Sequence, residues 1–209
     1  MLYLKKKVSP TCVFAIWKIE ESQKELVSML NPNEAINAIL SIKSEKRVLE
    51  KLITLHLLHL LTGADQQILY NPSGRPYLVD EKWHISISHT KGYVAVIVDQ
   101  LNHVGIDIEQ ISNKIKNVRS RIVSDREYIN DENELVHLLL HWSAKETMFK
   151  MIGEEGIDFL SHLHIMPFSP QKEGSMVAKE YKTYKRKSFT IHYQVEKDFV
   201  LTYAIDLLK

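Results

Sequence analysis

The sequence predicts an α+β protein in two lobes, and three observations carry that prediction. Apolar residues recur at three- and four-residue intervals over residues 36–61 and again over 134–152, and each run is closed by a glycine, Gly63 and Gly153. Each helical run is followed by short strand-like segments, at 83–98 after the first and at 163–208 after the second. No low-complexity linker separates the halves. The polar stretch at 99–103 links the two, giving an N-terminal lobe of residues 1–102 and a C-terminal lobe of residues 103–209.

Composition narrows the class. A chain of 209 residues that is 44% hydrophobic and 25% charged can bury one sizeable core or two small ones. A formal charge of +1 gives no global reason to expect nucleic acid or an anionic membrane as partner. The single cysteine, Cys12, forbids an internal disulfide and fits a reducing compartment, so the expected location is the cytoplasm. Lys5, Lys6 and Lys7 precede a stretch broken by Pro10, Thr11 and Lys18, too mixed for a signal peptide, and no run is long enough to span a bilayer.

In chain order, residues 12–19 read as a first strand. Asn31 and Pro32 read as the cap and first turn of the helical run, which breaks near Lys43–Ser44. Its polar face carries Lys43, Lys46, Arg47, His56 and His59. Residues 70–77 form a turn, by their Asn-Pro, Gly and Pro content. Residues 83–88 alternate, 93–98 are almost wholly apolar, and together they read as a hairpin that places Ser88 and His89 at a strand end. Beyond residue 110 comes a basic stretch with Lys114, Lys116, Arg119 and Arg121. Ser124 and Glu127 have capping-box spacing and should open a helical turn, which explains Glu127 without catalysis. After the 134–152 helix, strands are expected at 163–168, 176–178, 189–195 and 199–208, the last two a hairpin. Lys179 to Lys187, interleaved with Tyr181 and Tyr184, is the densest basic patch and reads as a solvated edge or loop.

Two places carry chemistry. In residues 104–109 strand alternation sets Asp107 and Glu109 on one face and Ile106 and Ile108 on the other. Two such charges about 5 Å apart repel by about 1 kcal/mol in water and several times more near an interior, so the pair asks for a cation. Oxygen ligands suit a hard ion such as Mg²⁺, though a wet strand face accounts for the pattern equally. On the second helix Trp142, Glu146 and Lys150 are spaced by four and share a face, where the latter two also make an ordinary helix ion pair. His137 and His141 share a face too, but Leu138 stands where a zinc-protease helix needs a glutamate.

Taken together, Gly74-Arg75-Pro76-Tyr77, Ile85-Ser86-Ile87-Ser88-His89-Thr90, Val104-Gly105-Ile106-Asp107-Ile108-Glu109, Ser124-Asp125-Arg126-Glu127-Tyr128 and Trp142-Ser143-Ala144-Lys145-Glu146-Thr147-Met148-Phe149-Lys150 resemble, in order, the motifs of the 4′-phosphopantetheinyl transferases. The length resembles the longer, surfactin-synthetase-activating type. The resemblance implies transfer of the phosphopantetheine arm of coenzyme A to a serine of an apo acyl or peptidyl carrier protein, serving fatty-acid, polyketide or non-ribosomal peptide synthesis. It implies Mg²⁺ on Asp107, Glu109 and Glu146, with Glu146 also the candidate base and Glu127 ranked below it. It implies coenzyme A on Arg47, Arg75, Ser88, His89 and Lys150, with Lys145 either assisting or facing solvent. It implies a monomer of two similar lobes, each a small antiparallel sheet with a long helix, related by a pseudo-two-fold with the site in the cleft.

The sequence departs from the family where a basic cluster would precede Arg47, and at His56, where an arginine is frequent; Lys43 and Lys46 are alternative cations. Basic residues from Lys114 to Arg121 are candidate docking positions for an acidic carrier. Two other classes remain: a non-catalytic coenzyme A or carrier-binding module, and a Mg²⁺-dependent phosphodiester hydrolase, the latter leaving Ser88 and His89 unexplained.

Overall fold

The computed structural model describes residues 1–206, so the end of the last expected strand, at 207–208, lies outside the described residues. The chain divides into two compact units, Met1–Asn102 and His103–Lys209, and is a mixed α/β protein built on antiparallel sheets.

The first unit contains β1 (Leu2–Lys7), β2 (Cys12–Lys18), α1 (Gln23–Ser28), α2 (Glu34–Leu40), α3 (Glu45–Thr62), β3 (Ile68–Tyr70), β4 (Pro76–Leu78), β5 (His84–Thr90) and β6 (Tyr93–Asp99). Its four-stranded sheet has the order β1-β2-β6-β5, with β3 and β4 forming a separate ribbon. Every residue of β6 is buried, as its unbroken apolar run requires of a central strand. Helix α3 lays Leu52, Ile53, Leu57 and Leu58 on Val94, Val96 and Val98 of β6. Each such leucine, fully removed from water, contributes about 1.5–3 kcal/mol.

Ser44 caps α3 through the Arg47 amide and Gly63 ends it in the left-handed region, φ 77°, so the break near Ser44 is real. The cap of α2 is Asn33, not Asn31, because the Asn33 carboxamide reaches the Ile36 amide while Asn31 donates to Asp65. The strand read at 12–19 is the second of the sheet. β1 precedes it, its lysines on an edge strand that only β2 pairs, in the place where lysines blunt aggregation.

The second unit contains β7 (His103–Gln110), a 3₁₀ turn at Asn113–Val118, α4 (Arg119–Ile122), α5 (Glu134–Ile152), β8 (Leu163–Ile165), β9 (Glu173–Glu180), β10 (Ser188–Val195) and β11 (Phe199–Asp206). Its sheet runs β7-β11-β10-β9-β8, so first and last strands in sequence are neighbours. Helix α5 packs on β7 and β11 so closely that a Cβ at Gly105 would lie 2.6 Å from Met151 Cγ and 2.8 Å from the Thr147 carbonyl oxygen. Glycine on β7 is therefore a packing requirement. Ser143 and Thr147, one turn apart on α5, both share hydrogen bonds with Thr202 of β11, at 2.8 and 2.7 Å.

The Ser124 box forms only in half, since the Glu127 amide donates to the Ser124 carbonyl and not to its hydroxyl, and no helix follows. The Ser124 amide and hydroxyl donate to Glu127 Oε2, yet residues 124–127 form only a turn. Glu127 also accepts from the Ile165 amide, and that tie to β8 leads the chain away. The basic patch at 179–187 ends β9 and begins β10. Buried Glu180 organises its turn through the Thr183 and Lys187 amides. Among the described residues no helix is long and apolar enough to cross a membrane.

Candidate active site

The second unit assembles four of the expected residues. Asp107 and Glu109 alternate with Ile106 and Ile108 on β7 as the sequence predicted, but α5 packs on that strand, burying Asp107 and leaving Glu109 partly exposed. Asp107 stands opposite Thr202 in the β7–β11 register, so the Ser143–Thr147–Thr202 hydroxyl cluster anchors α5 beside it. From α5, Lys150 Nζ donates to Asp107 Oδ1 at 2.8 Å and to the Ile106 carbonyl at 3.0 Å. Trp142 Nε1 donates to Glu109 Oε1 at 2.7 Å. Glu146 lies between Trp142 and Lys150 along the same helical stripe.

The electrostatics follow from burying three acids beside Lys150. Burial, then the charge of Asp107, push the Glu109 carboxyl up to about 6, against the Trp142 hydrogen bond and the Lys150 charge. Burial, then Asp107 and Glu109, push Glu146 up to about 7, with Lys150 opposing. Glu109 and Glu146 are thus costly to ionise in the company of Asp107. The donor set is all oxygen, the chemistry a hard divalent ion takes. Among the described residues, however, the side chains do not close around a point as a ligand cage.

Lys145, next to Glu146 in sequence, points elsewhere. It is 0% exposed, which corrects the option that it faces solvent. Its ammonium donates to the Ile122 carbonyl at 2.6 Å, Glu127 Oε2 at 2.7 Å and the Phe159 carbonyl at 2.9 Å, which uses all three hydrogens. Burial alone would raise Glu127, but Lys145 and the Ser124 and Ile165 amides hold it below the usual carboxylate range. The pair is a structural rivet joining α5, the 124–127 turn and β8.

The first unit holds the other expected residues. Arg47 on α3 and His89 near the end of β5 both line a cavity of about 450 Å³ between α2, α3, β3 and β5. Ser88 is buried beside His89. Arg75 is half-buried, and burial lowers its guanidinium pKa. Burial and the Arg75 charge both lower the His84 pKa. His56 stacks edge-on to Trp17 at 4.9 Å, and burial holds it below the usual imidazole value.

Sequence reasoning missed Glu50 in the wall of the same cavity. It is buried among the apolar residues of α3, with His89 Nε2 at 3.4 Å from its Oε2 and Lys46 Nζ at 3.5 Å from its Oε1. An acidic residue next to Leu49, two positions before the Leu52–Ile53 pair, was the available signal.

With this geometry in hand, comparison with known proteins is informative. Residues 103–204 match the model of the 4′-phosphopantetheinyl transferase superfamily. A Haemophilus influenzae protein named "Putative 4′-phosphopantetheinyl transferase" is 34% identical over 116 residues, covering 51% of this chain and 48% of that protein. The chain thus matches about half the length of that relative.

Proposed function

We propose, from the premise that residues 103–204 belong to the 4′-phosphopantetheinyl transferase superfamily, that this chain moves the 4′-phosphopantetheine arm of coenzyme A onto a serine of an apo acyl or peptidyl carrier protein. The serine oxygen bonds to the β-phosphorus of the pyrophosphate and the bond from that phosphorus to the bridging oxygen breaks. The serine proton passes to a base, and adenosine 3′,5′-bisphosphate leaves. Such a transfer depends on positioning and on offsetting phosphate charge.

The observation that carries the reading is the α5 stripe facing β7: Lys150 on Asp107, Trp142 on Glu109 and Glu146 between them. Asp107, Glu109 and Glu146 fit Mg²⁺ by their donor chemistry and by a mutual repulsion that a divalent ion relieves. When bound, the ion supplies charge neutralisation at the pyrophosphate. Glu146 takes the serine proton, directly or through water. Lys150 offsets charge on the leaving phosphate.

Coenzyme A is held by Arg47, Ser88 and His89 at its 3′-phosphate, with Arg75 near the nucleotide; arginine suits phosphate by its planar pair of donors. Lys145 acts in this reading by holding α5 in place, since its hydrogens are committed inside the unit. A sheet with a long helix in each unit supports the two-lobed, longer type of transferase, acting as a cytoplasmic monomer on an acidic carrier.

Intact-protein mass spectrometry of apo acyl carrier protein incubated with this protein and coenzyme A, with Mg²⁺ and with chelator, tests the reading. A metal-dependent gain of one phosphopantetheine supports it. Free hydrolysis products with unmodified carrier point to the hydrolase, and coenzyme A binding without any product to the binding module.

A further inference from the structure

We propose that Glu50 is a positioning residue for His89, fixing the imidazole so that one ring nitrogen is held by the protein and the other is left for a phosphate in the α2–α3–β5 cavity. The inference rests on the proposed coenzyme A reading for the identity of that phosphate, and on this structure alone for the role of Glu50.

The geometry is specific. His89 belongs to β5 and its side chain is about half exposed. Glu50 belongs to α3, a helix with a buried face that also includes Val48, Leu52, Ile53 and Thr54, and its side chain is only 7% exposed. The contact therefore joins a buried carboxylate to a half-exposed ring. Glu50 Oε1 has no hydrogen-bond donor among the described residues, only Lys46 at 3.5 Å. A carboxylate buried to this degree is retained where it is paired, and the His89 ring nitrogen and the Lys46 ammonium are the groups facing it.

A protonated histidine has two donors on opposite edges of its ring. His89 Nε2 lies 3.4 Å from Glu50 Oε2, so in the protonated ring Nδ1–H remains for an anion. The arrangement is that of a carboxylate orienting a histidine that binds something else, as in the outer shell of metal sites, with the phosphate in the metal's place. The remaining polar lining fits an anion: Arg47 is exposed on the turn before Glu50, and Lys51 follows it. The apolar remainder, from Ala35, Ala38, Ile39, Leu55, Ile68 and Ile87, makes a dry wall in which a charge contact is screened less than at the open surface.

The test compares coenzyme A with 3′-dephospho-coenzyme A in the carrier-modification assay, for wild type, Glu50→Gln, His89→Ala and the double variant. The expected result is a five- to tenfold rise in KM for coenzyme A in Glu50→Gln with kcat unchanged. KM for the dephospho compound should stay at the wild-type value, and Glu50→Gln should have no added effect in the His89→Ala background. Equal KM rises for both compounds would make Glu50 merely structural, and a selective fall in KM for coenzyme A would make it a repulsive gate; either overturns the proposal. Should Glu50→Gln fold poorly, Glu50→Asp replaces it, with partial retention of the KM difference expected and full loss of folding control ruled out by circular dichroism. Wild-type protein that modifies no carrier would instead remove the functional reading, a separate failure visible before any variant is made.

Discussion

Two rows of side chains run side by side along α5, one residue out of step, and their fates are opposite. His137, His141 and Lys145 are at most 1% exposed and each meets a partner supplied by the same unit. Trp142, Glu146 and Lys150 are half-buried beside Asp107 and Glu109, where burial and then repulsion between the acids push Glu109 up to about 6 and Glu146 up to about 7. The first row resolves every charge it buries; the second leaves charge unresolved. Stability is concentrated in one row and chemistry in the other, as expected where binding sites hold their acids in tension. Three lysine–carboxylate contacts grade the same contrast: Lys145–Glu127 fully buried, Lys150–Asp107 with the lysine a quarter exposed, and Lys116–Glu134 at the surface.

The largest effect expected is at the buried pair. Glu127→Ala strands the Lys145 ammonium and frees the Ser124 and Ile165 amides, so the second unit should lose about 3–5 kcal/mol in urea unfolding. A loss under about 1 kcal/mol would mean that water reaches the site and that the two rows do not differ as described. Next is Lys150→Met, which touches the tense row. Carrier modification should fall by roughly 10²–10³ in kcat/KM, the usual effect of losing one donor aimed at developing charge, while unfolding shifts less than in Glu127→Ala. Stability lost without activity would reverse the assignment of the rows.

Much of this was legible in sequence, and what was not has a physical reason. The bounds of α5 follow from its run of helix formers and from Gly153, whose φ of 66° only glycine adopts cheaply. Asp107, Glu109, Glu146 and Lys150 were legible because period two on a strand and period four on a helix fix which residues share a face. The burial of Lys145 was not, because two of its three acceptors are the carbonyls of Ile122 and Phe159, and a backbone oxygen has no sequence signature. Glu50 was overlooked because a glutamate on a helix beside lysines reads as a solvated residue until the strand that covers it is known. Edge strand β1 was missed because its outward lysines break the apolar pattern.

Acid should separate the rows by a third route. Burial pushes His137 and His141 down to about 4, and the Asn130 amide donates to His137 Nδ1, so both imidazoles stay neutral in the folded protein where an unfolded chain takes up protons near 6.5. Protons bound only by the unfolded state favour unfolding, so this contribution is complete above pH 6.5 and is lost as pH falls from 6.5 to 4. Urea midpoints measured across that window should fall less steeply for His137→Gln with His141→Gln than for wild type. Parallel slopes would place the acid sensitivity elsewhere.

The smallest effect concerns the surface contact. Lys116 and Arg119 both reach Glu134, at 2.6 and 2.7 Å, but all three side chains are substantially wet and any attraction is screened by salt. Glu134→Gln should therefore leave the unfolding midpoint near that of wild type, and any difference should vanish in high salt. It also releases two cations beside exposed Lys114 and Arg121, the stretch expected to meet an acidic carrier. If that stretch docks the carrier, Glu134→Gln raises the association rate at low salt while charge reversal at Lys114 and Arg121 lowers it, and coenzyme A binding is unchanged in both, because complementary rim charge acts chiefly on encounter. An association rate indifferent to both substitutions would confine the carrier contact to other surfaces and leave Glu134 with the role of a favourable acid at the first turn of α5.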